Sequence, residues 1–178
     1  MTNRLATRSR LLPKRSFPAY AYLPGRNPHP LRDPLGHSYS QQTENYGDSE
    51  LCRWGFDLFN HGYYWEAHEA WEALWRASEK NSNCRLLFKA LILLAAAGIK
   101  VREAKDVSAV RHAERAAALL RKLVEMPDQP LFDAIGIPLE LLAEKALSTV
   151  RAPPILQVTE RGKPEAVFAF ELGTCIHP

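Results

Sequence analysis

His68 and Glu72 stand one helical turn apart in the run His61-Gly-Tyr-Tyr-Trp-Glu-Ala-His-Glu-Ala-Trp-Glu-Ala-Leu-Trp-Arg76. An imidazole and a carboxylate at that spacing could share one divalent cation, zinc or manganese, from a single helix face. The arrangement is close to the two histidines of a His-Glu-x-x-His helix, but a glutamate occupies the second histidine's place. Glu69, directly after His68, takes the position of the general base in that comparison. With a metal lowering the pKa of a water, Glu69 or Glu72 would serve as base in a hydrolysis.

Two ligands are not a site, so others must come from elsewhere in the chain. His29, Asp33 and His37 recur every four residues in a Pro-rich stretch, Pro24-Gly-Arg-Asn-Pro-His-Pro-Leu-Arg-Asp-Pro-Leu-Gly-His37. Prolines reduce the entropy lost when such a segment fixes its side chains. If the stretch crosses the helix, His29, Asp33 or His37 completes the ligand set. The alternative is a non-catalytic binding or scaffold protein whose His/Glu network holds only the fold, since buried polar groups need partners in either case. On that reading Glu72 simply pairs with Arg76 at i,i+4.

The helix that must position these groups is unusual. At about 100° per residue, Trp65, His68, Glu72 and Trp75 fall in an arc of roughly 80°, with Tyr64 and Trp71 beside it. Tyr63, Ala67, Ala70 and Leu74 make the opposite side apolar too, leaving Glu66, Glu69, Ala73 and Arg76 as the wet strip. A helix apolar nearly all round is internal, so His68 and Glu72 should be at least partly buried.

The remainder of the chain reads as an all-α, antiparallel bundle of four to five helices. Helix one starts near Ser49 as N-cap and ends at Gly62. Helix two runs from about Tyr63 to Ser78, and helix three from about Cys84 to Ala104. Helix four is capped by Asp106 or Ser108 and broken at Met126-Pro-Asp-Gln-Pro130. Helix five opens at Pro138 and ends near Val150. Residues 1–48 comprise a basic tail to about residue 16 and an extended Pro-rich arm, too apolar for a linker, that packs on the body. Residues 49–152 are the helical domain. Residues 153–178 form an extension in which Ile155, Val158, Val167 and Phe168 flank Arg161-Gly-Lys-Pro164 like a short hairpin.

Charge and cysteine usage narrow the partners. The net charge is only +3, yet no acidic residue precedes Asp33, so the tail reads as a flexible, solvated segment. A nucleic-acid reading would rest on Arg102, Lys105, Arg111, Arg115, Arg121 and Lys122. Glu103, Asp106 and Glu114 interrupt that stripe, so an unidentified small molecule is the better partner. Cys52, Cys84 and Cys175 offer no Cys-x-x-Cys pair, which fits a reduced, cytoplasmic compartment. The apolar run Leu86 to Ile99 is too short to span a membrane. Oligomerisation is compatible with all of this.

The stretch Phe59-Asn-His-Gly-Tyr-Tyr-Trp-Glu-Ala-His-Glu-Ala-Trp-Glu-Ala-Leu-Trp75, followed by Leu91-Ile-Leu-Leu-Ala-Ala-Ala97, resembles the DUF309 family over roughly residues 50 to 125. The resemblance implies an all-α, mostly bacterial family, labelled a predicted metal-dependent hydrolase, with signature positions at Gly62, Glu66, His68, Glu69, Glu72 and Trp75. Many members carry Gln in place of Leu93 and His in place of Lys100, so two polar groups of the family pattern are absent from this chain.

Overall fold

The structure is a computed structural model that describes residues 8–39, 47–127, 130–158 and 160–173. Arg4 and Cys175 lie outside the described residues. The described residues form six helices and no strand: α1 (Asp48–Asn60), α2 (Tyr64–Ala77), α3 (Asn83–Arg102), α4 (Asp106–Val124), α5 (Pro130–Asp133) and α6 (Leu139–Arg151). Neighbours in sequence are neighbours in space. The order of packing is α1 on α2, α2 on α3, α3 on α4 and α4 on α6, as short connections require.

Helix α3 is the central element. Leu87, Leu91, Leu94, Ala95 and Ala97 are fully buried along it, which explains why it is apolar nearly all round. Its start is capped by Ser82, whose Oγ accepts from Arg85 N at 3.1 Å. The other expected caps are replaced. Ser49 lies inside the first turn of α1, behind an N-cap Gly47 that offers no side chain. Asp106 is likewise the first residue of α4 and caps nothing, though its charge still suits a helix N-terminus. The turn from α1 to α2 depends on Gly62, at φ +86°, where a Cβ would strike the backbone of Glu165. The short α5 was not expected from the Pro-rich break.

Two irregular segments lie against the α1–α2 face and depart from expectation. The basic tail, where described, is pinned to the body through Arg8 and Arg10. Arg8 donates to the carbonyls of Asn60 (2.7 Å) and Phe168 (2.5 Å), and Arg10 reaches the buried Asp57 at 3.2 Å. These two cations bond internal acceptors. Beyond them Phe17 stacks on Trp54 and Tyr63, so the Pro-rich arm does pack on the helices.

The C-terminal segment turns at Gly162 but forms no hairpin, because side chains take the donors a ladder would use. Gln157 N and Val158 N donate to the Glu165 carboxylate. Val167 N donates to the Tyr64 hydroxyl, and Leu172 N to Asn60 Oδ1. Arg102, almost fully buried, donates to the carbonyls of Lys163 and Glu165. Phe168 then stacks on Phe59 at 5.3 Å, joining this segment to the core.

Candidate functional site

Helix α2 presents His68, Glu69 and Glu72 together. One ligand atom from each lies within 4.8 Å of the others, and among the described residues this is the group of three or more His, Cys, Asp and Glu side chains with that property. His68 Nδ1 is 3.5 Å from Glu69 Oε1 and 4.0 Å from Glu72 Oε2. Both separations are too long for a hydrogen bond. His68 Nδ1 is nevertheless inaccessible to solvent and has no hydrogen-bond partner among the described residues. The side chains of His68 and Glu72 are 28% and 26% exposed, so they are at least partly buried, as the helical wheel implies. Glu72 is held from its other oxygen, which accepts from Arg76 Nη2 at 2.8 Å. Trp75, one turn beyond Trp71, is covered by Arg85, whose guanidinium carbon lies 4.0 Å from the ring centre.

The arm does cross α2, but its polar residues go elsewhere. His29 packs beside Tyr22 and Trp65 at 5.3 and 5.6 Å, and its Nδ1 accepts from Leu31 N. Asp33 closes a local turn, accepting from Leu35 N at 2.9 Å. His37 Nε2 pairs with Glu66 Oε1 at 3.0 Å. Glu66 and His68 are two residues apart, or about 200° around the helix. A histidine bound to Glu66 therefore sits on the far side of α2 from His68. The ligand set of helix and arm residues is not assembled here.

Glu66 itself corrects the helical wheel. It is 6% exposed rather than wet, because the arm covers it: Oε1 also accepts from Tyr22 N at 2.9 Å. Its role is to fasten the arm, through contacts more than twenty residues away in sequence.

The structure adds His112, on α4, which the sequence pattern did not single out. Its Nδ1 is buried without a hydrogen-bond partner among the described residues. Burial pushes its pKa down, and the charges of Arg115, Lys100, Arg111 and His68 push it further the same way. Because the folded-state pKa lies below the unfolded value of about 6.5, the unfolded chain takes up the proton first. The stability contributed is complete above that pH and is lost as pH falls through the folded pKa. A His112→Gln variant is thus expected to lose less melting temperature than the parent between pH 7.5 and 5.5. Equal losses would show that His112 carries none of the acid sensitivity.

Two of the cations considered for nucleic acid are engaged within the chain. Arg102 is buried against carbonyls, and Arg121 pairs with Glu140 at 2.9 Å.

The stretch from α1 to the start of α4 holds the whole α2 cluster, and residues 53–112 match the family profile of a domain of unknown function, DUF309. Over those residues the chain is similar to DUF309. The match takes in Asp57, Glu66, His68, Glu69, Glu72 and His112, and leaves out His29, Asp33 and His37 of the arm. No curated protein and no solved structure matches the chain. No helix among the described residues is long and apolar enough to cross a membrane.

Proposed function

We propose that this protein, similar to DUF309 over residues 53–112, is a metal-dependent hydrolase whose divalent ion, zinc or manganese, is held by His68 and Glu72 with Glu69 beside them. The observation that carries this reading is His68 Nδ1, a buried ring nitrogen with no hydrogen bond, facing two carboxylates. One imidazole nitrogen and two carboxylate oxygens suit either metal. Ligand atoms about 2.0–2.2 Å from a common ion stand about 3–4 Å apart, so small side-chain movements would close the 4.8 Å group.

When bound, the ion supplies Lewis acidity for a hydrolysis. The chain's own groups divide the remaining work. Arg76 holds Glu72 Oε1 and leaves Oε2 turned toward His68, which orients that carboxylate as a ligand. Glu69, 37% exposed, can accept a proton from water at its carboxylate, the general-base role. His29, Asp33 and His37 remain as arm residues that would need to move to contribute.

A second reading has its own support. Asp57, Asn60 and Glu66 are buried polar groups that fasten the arm and the C-terminal segment, so a scaffold function needs no chemistry at His68. Elemental analysis separates the two. Purified protein is expected to hold about one equivalent of metal, with a melting temperature that rises on adding zinc or manganese. His68→Ala, still folded, should lose both. A metal-free parent whose melting temperature ignores both ions would exclude the metal site.

A further inference from the structure

Helix α3 is buried around almost its whole circumference, and beyond its first turn only Lys89, Ala96 and Lys100 are partly exposed. With Leu93 between them, these residues recur at i, i+4, i+7 and i+11, so they form one line along the helix. Because α3 packs on both α2 and α4, that line is the floor of a groove with a wall on either side. At one end Trp75 of α2 meets the floor, its ring centre 5.2 Å from Lys89 Nζ. Toward the other end His68 and His112 stand on the two walls, close enough for the charge of His68 to act on His112.

The two walls carry opposite charge. On α2, Glu69 and Glu72 flank His68. On the α4 side, the two largest charges acting on His112 are those of Arg115, one turn along the same helix, and Lys100 of the floor. Lys100 also pairs with Glu103, but an ammonium has further donors to offer. Arg115 is exposed and makes no ion pair among the described residues, the neighbouring Glu114 being paired with Arg151. Arg111 borders the gap between α4 and α6 with Asp106 and Glu114, so it belongs to another surface. His112 Nδ1 is closed off, whereas its Nε2 is neither closed off nor bonded among the described residues. The ring proton is therefore best placed on Nε2, where an incoming acceptor can take it.

We infer that the substrate of the proposed hydrolase is a phosphate ester, its phosphoryl oxygens held by Arg115, Lys100 and His112 Nε2 across the groove from the His68–Glu72 cluster. A carboxylic ester or amide is neutral at its scissile bond and needs no cations waiting beside it. A phosphoryl group brings its negative charge with it, spread over several oxygens that guanidinium and ammonium donors suit. Hydrolysis joins the oxygen of water to phosphorus and breaks the ester P–O bond. Glu69 takes one proton from that water and returns it to the departing alkoxide. The reaction rests on the hydrolase reading, but the anion subsite uses none of the metal ligands and is open to test without metal.

Inorganic phosphate, phenyl phosphate and benzoate, titrated into the full chain after chelation of any metal, test the subsite by calorimetry and by the imidazole proton signal of His112, the one missing from His112→Gln. Both phosphates are expected to bind saturably, about tenfold or more tighter than benzoate, and to move the His112 signal but not that of His61. Arg115→Met, an exposed change that should leave the melting temperature alone, should weaken both phosphates about tenfold or more, with Arg115→Lys recovering part of the loss. Arg121→Met, which removes an α4 cation paired with Glu140, should leave phosphate binding as it was. Absent or non-saturating phosphate binding, equal affinity for benzoate, or an unmoved His112 signal would each overturn the assignment on the unmodified protein. So would full binding in Arg115→Met, or an equal loss in Arg121→Met. Zinc and manganese uptake by the same protein judges the hydrolase reading separately. Metal uptake without phosphate binding would sink the phosphate ester and leave the metal site standing. Phosphate binding by a chain that takes up neither ion would sink the hydrolase, and the ester as its substrate.

Discussion

Asp57→Ala is expected to lower the unfolding free energy by about 3–5 kcal/mol, a large share of the roughly 5–15 kcal/mol typical of a domain. Asp57 is wholly buried on α1. Its carboxylate accepts from Leu11 N and Leu12 N, both at 2.8 Å, and from Arg10 Nε at 3.2 Å. Removing it strands two backbone donors at about 1–3 kcal/mol each. The Arg10 side chain is 20% exposed, so its charge partly rehydrates and costs less than a fully buried one. Arg10 also lies 3.8 Å over the Phe17 ring and donates to the Leu12 and Arg15 carbonyls. Loss of Asp57 therefore loosens the whole start of the arm. Asp57→Asn keeps one acceptor oxygen and should cost about 1–3 kcal/mol. Urea denaturation measures both losses, and trypsin should cut the alanine variant faster after Lys14 and Arg15. A loss below 1 kcal/mol with unchanged proteolysis would show that the arm is held by other contacts.

That dependence was not visible in the sequence, and the reason is physical. Periodicity reports which helix positions face other helices, so α1 to α4 and α6 were readable within a residue or two. The same wheel placed His68 and Glu72 within the aromatic face and at least partly buried, and the structure has their side chains 28% and 26% exposed. It misplaced Glu66 because the cover comes from Tyr22 and His37, an irregular segment with no period. Arg8 and Arg10 read as a solvated tail for a related reason. Their long-range partners are a carboxylate and carbonyls 47 to 162 residues away, and carbonyls are present in every residue and so leave no mark in a sequence. The aromatic content of the arm, Phe17 and Tyr20 to Leu23, was the readable sign that it packs. The hairpin failed because alternation describes faces but not donors, and Glu165, Tyr64 and Asn60 had already claimed those donors. Within the candidate site, His68, Glu69 and Glu72 were legible through one-helix spacing. His112 was not, because its nearness to His68 depends on how α4 packs on α3.

Gly55→Ala sets local preference against packing, and packing is expected to win. Alanine is favoured over glycine inside a helix by about 1 kcal/mol, so propensity alone forecasts a gain at this position in α1. A Cβ at Gly55, however, would overlap the indole of Trp71, coming within 2.7 Å of Cδ1 and Cε2 and closer still to Nε1. Trp71 cannot yield easily. It is wholly buried on α2 and packs against Phe56 and Phe59, with ring centres 6.0 and 5.7 Å away. Either α1 moves off α2 or the indole leaves its rotamer, and overpacking of this kind costs about 1–3 kcal/mol beyond the propensity gain it cancels. A net destabilisation of about 2 kcal/mol is expected in chemical denaturation. Trp71→Phe offers a smaller ring and removes the indole N–H, which has no acceptor among the described residues. In the Gly55→Ala background it should recover part of the loss, giving a coupling of about 1 kcal/mol in the double-mutant cycle. A neutral or stabilising Gly55→Ala, or strictly additive effects, would mean that α1 and α2 are not held at this spacing by the Gly55–Trp71 contact. The same cycle bears on the candidate site. Trp71 lies one residue before Glu72, so an α2 displaced by Gly55→Ala should also weaken any zinc or manganese binding at His68 and Glu72, and Trp71→Phe should restore it in step with stability.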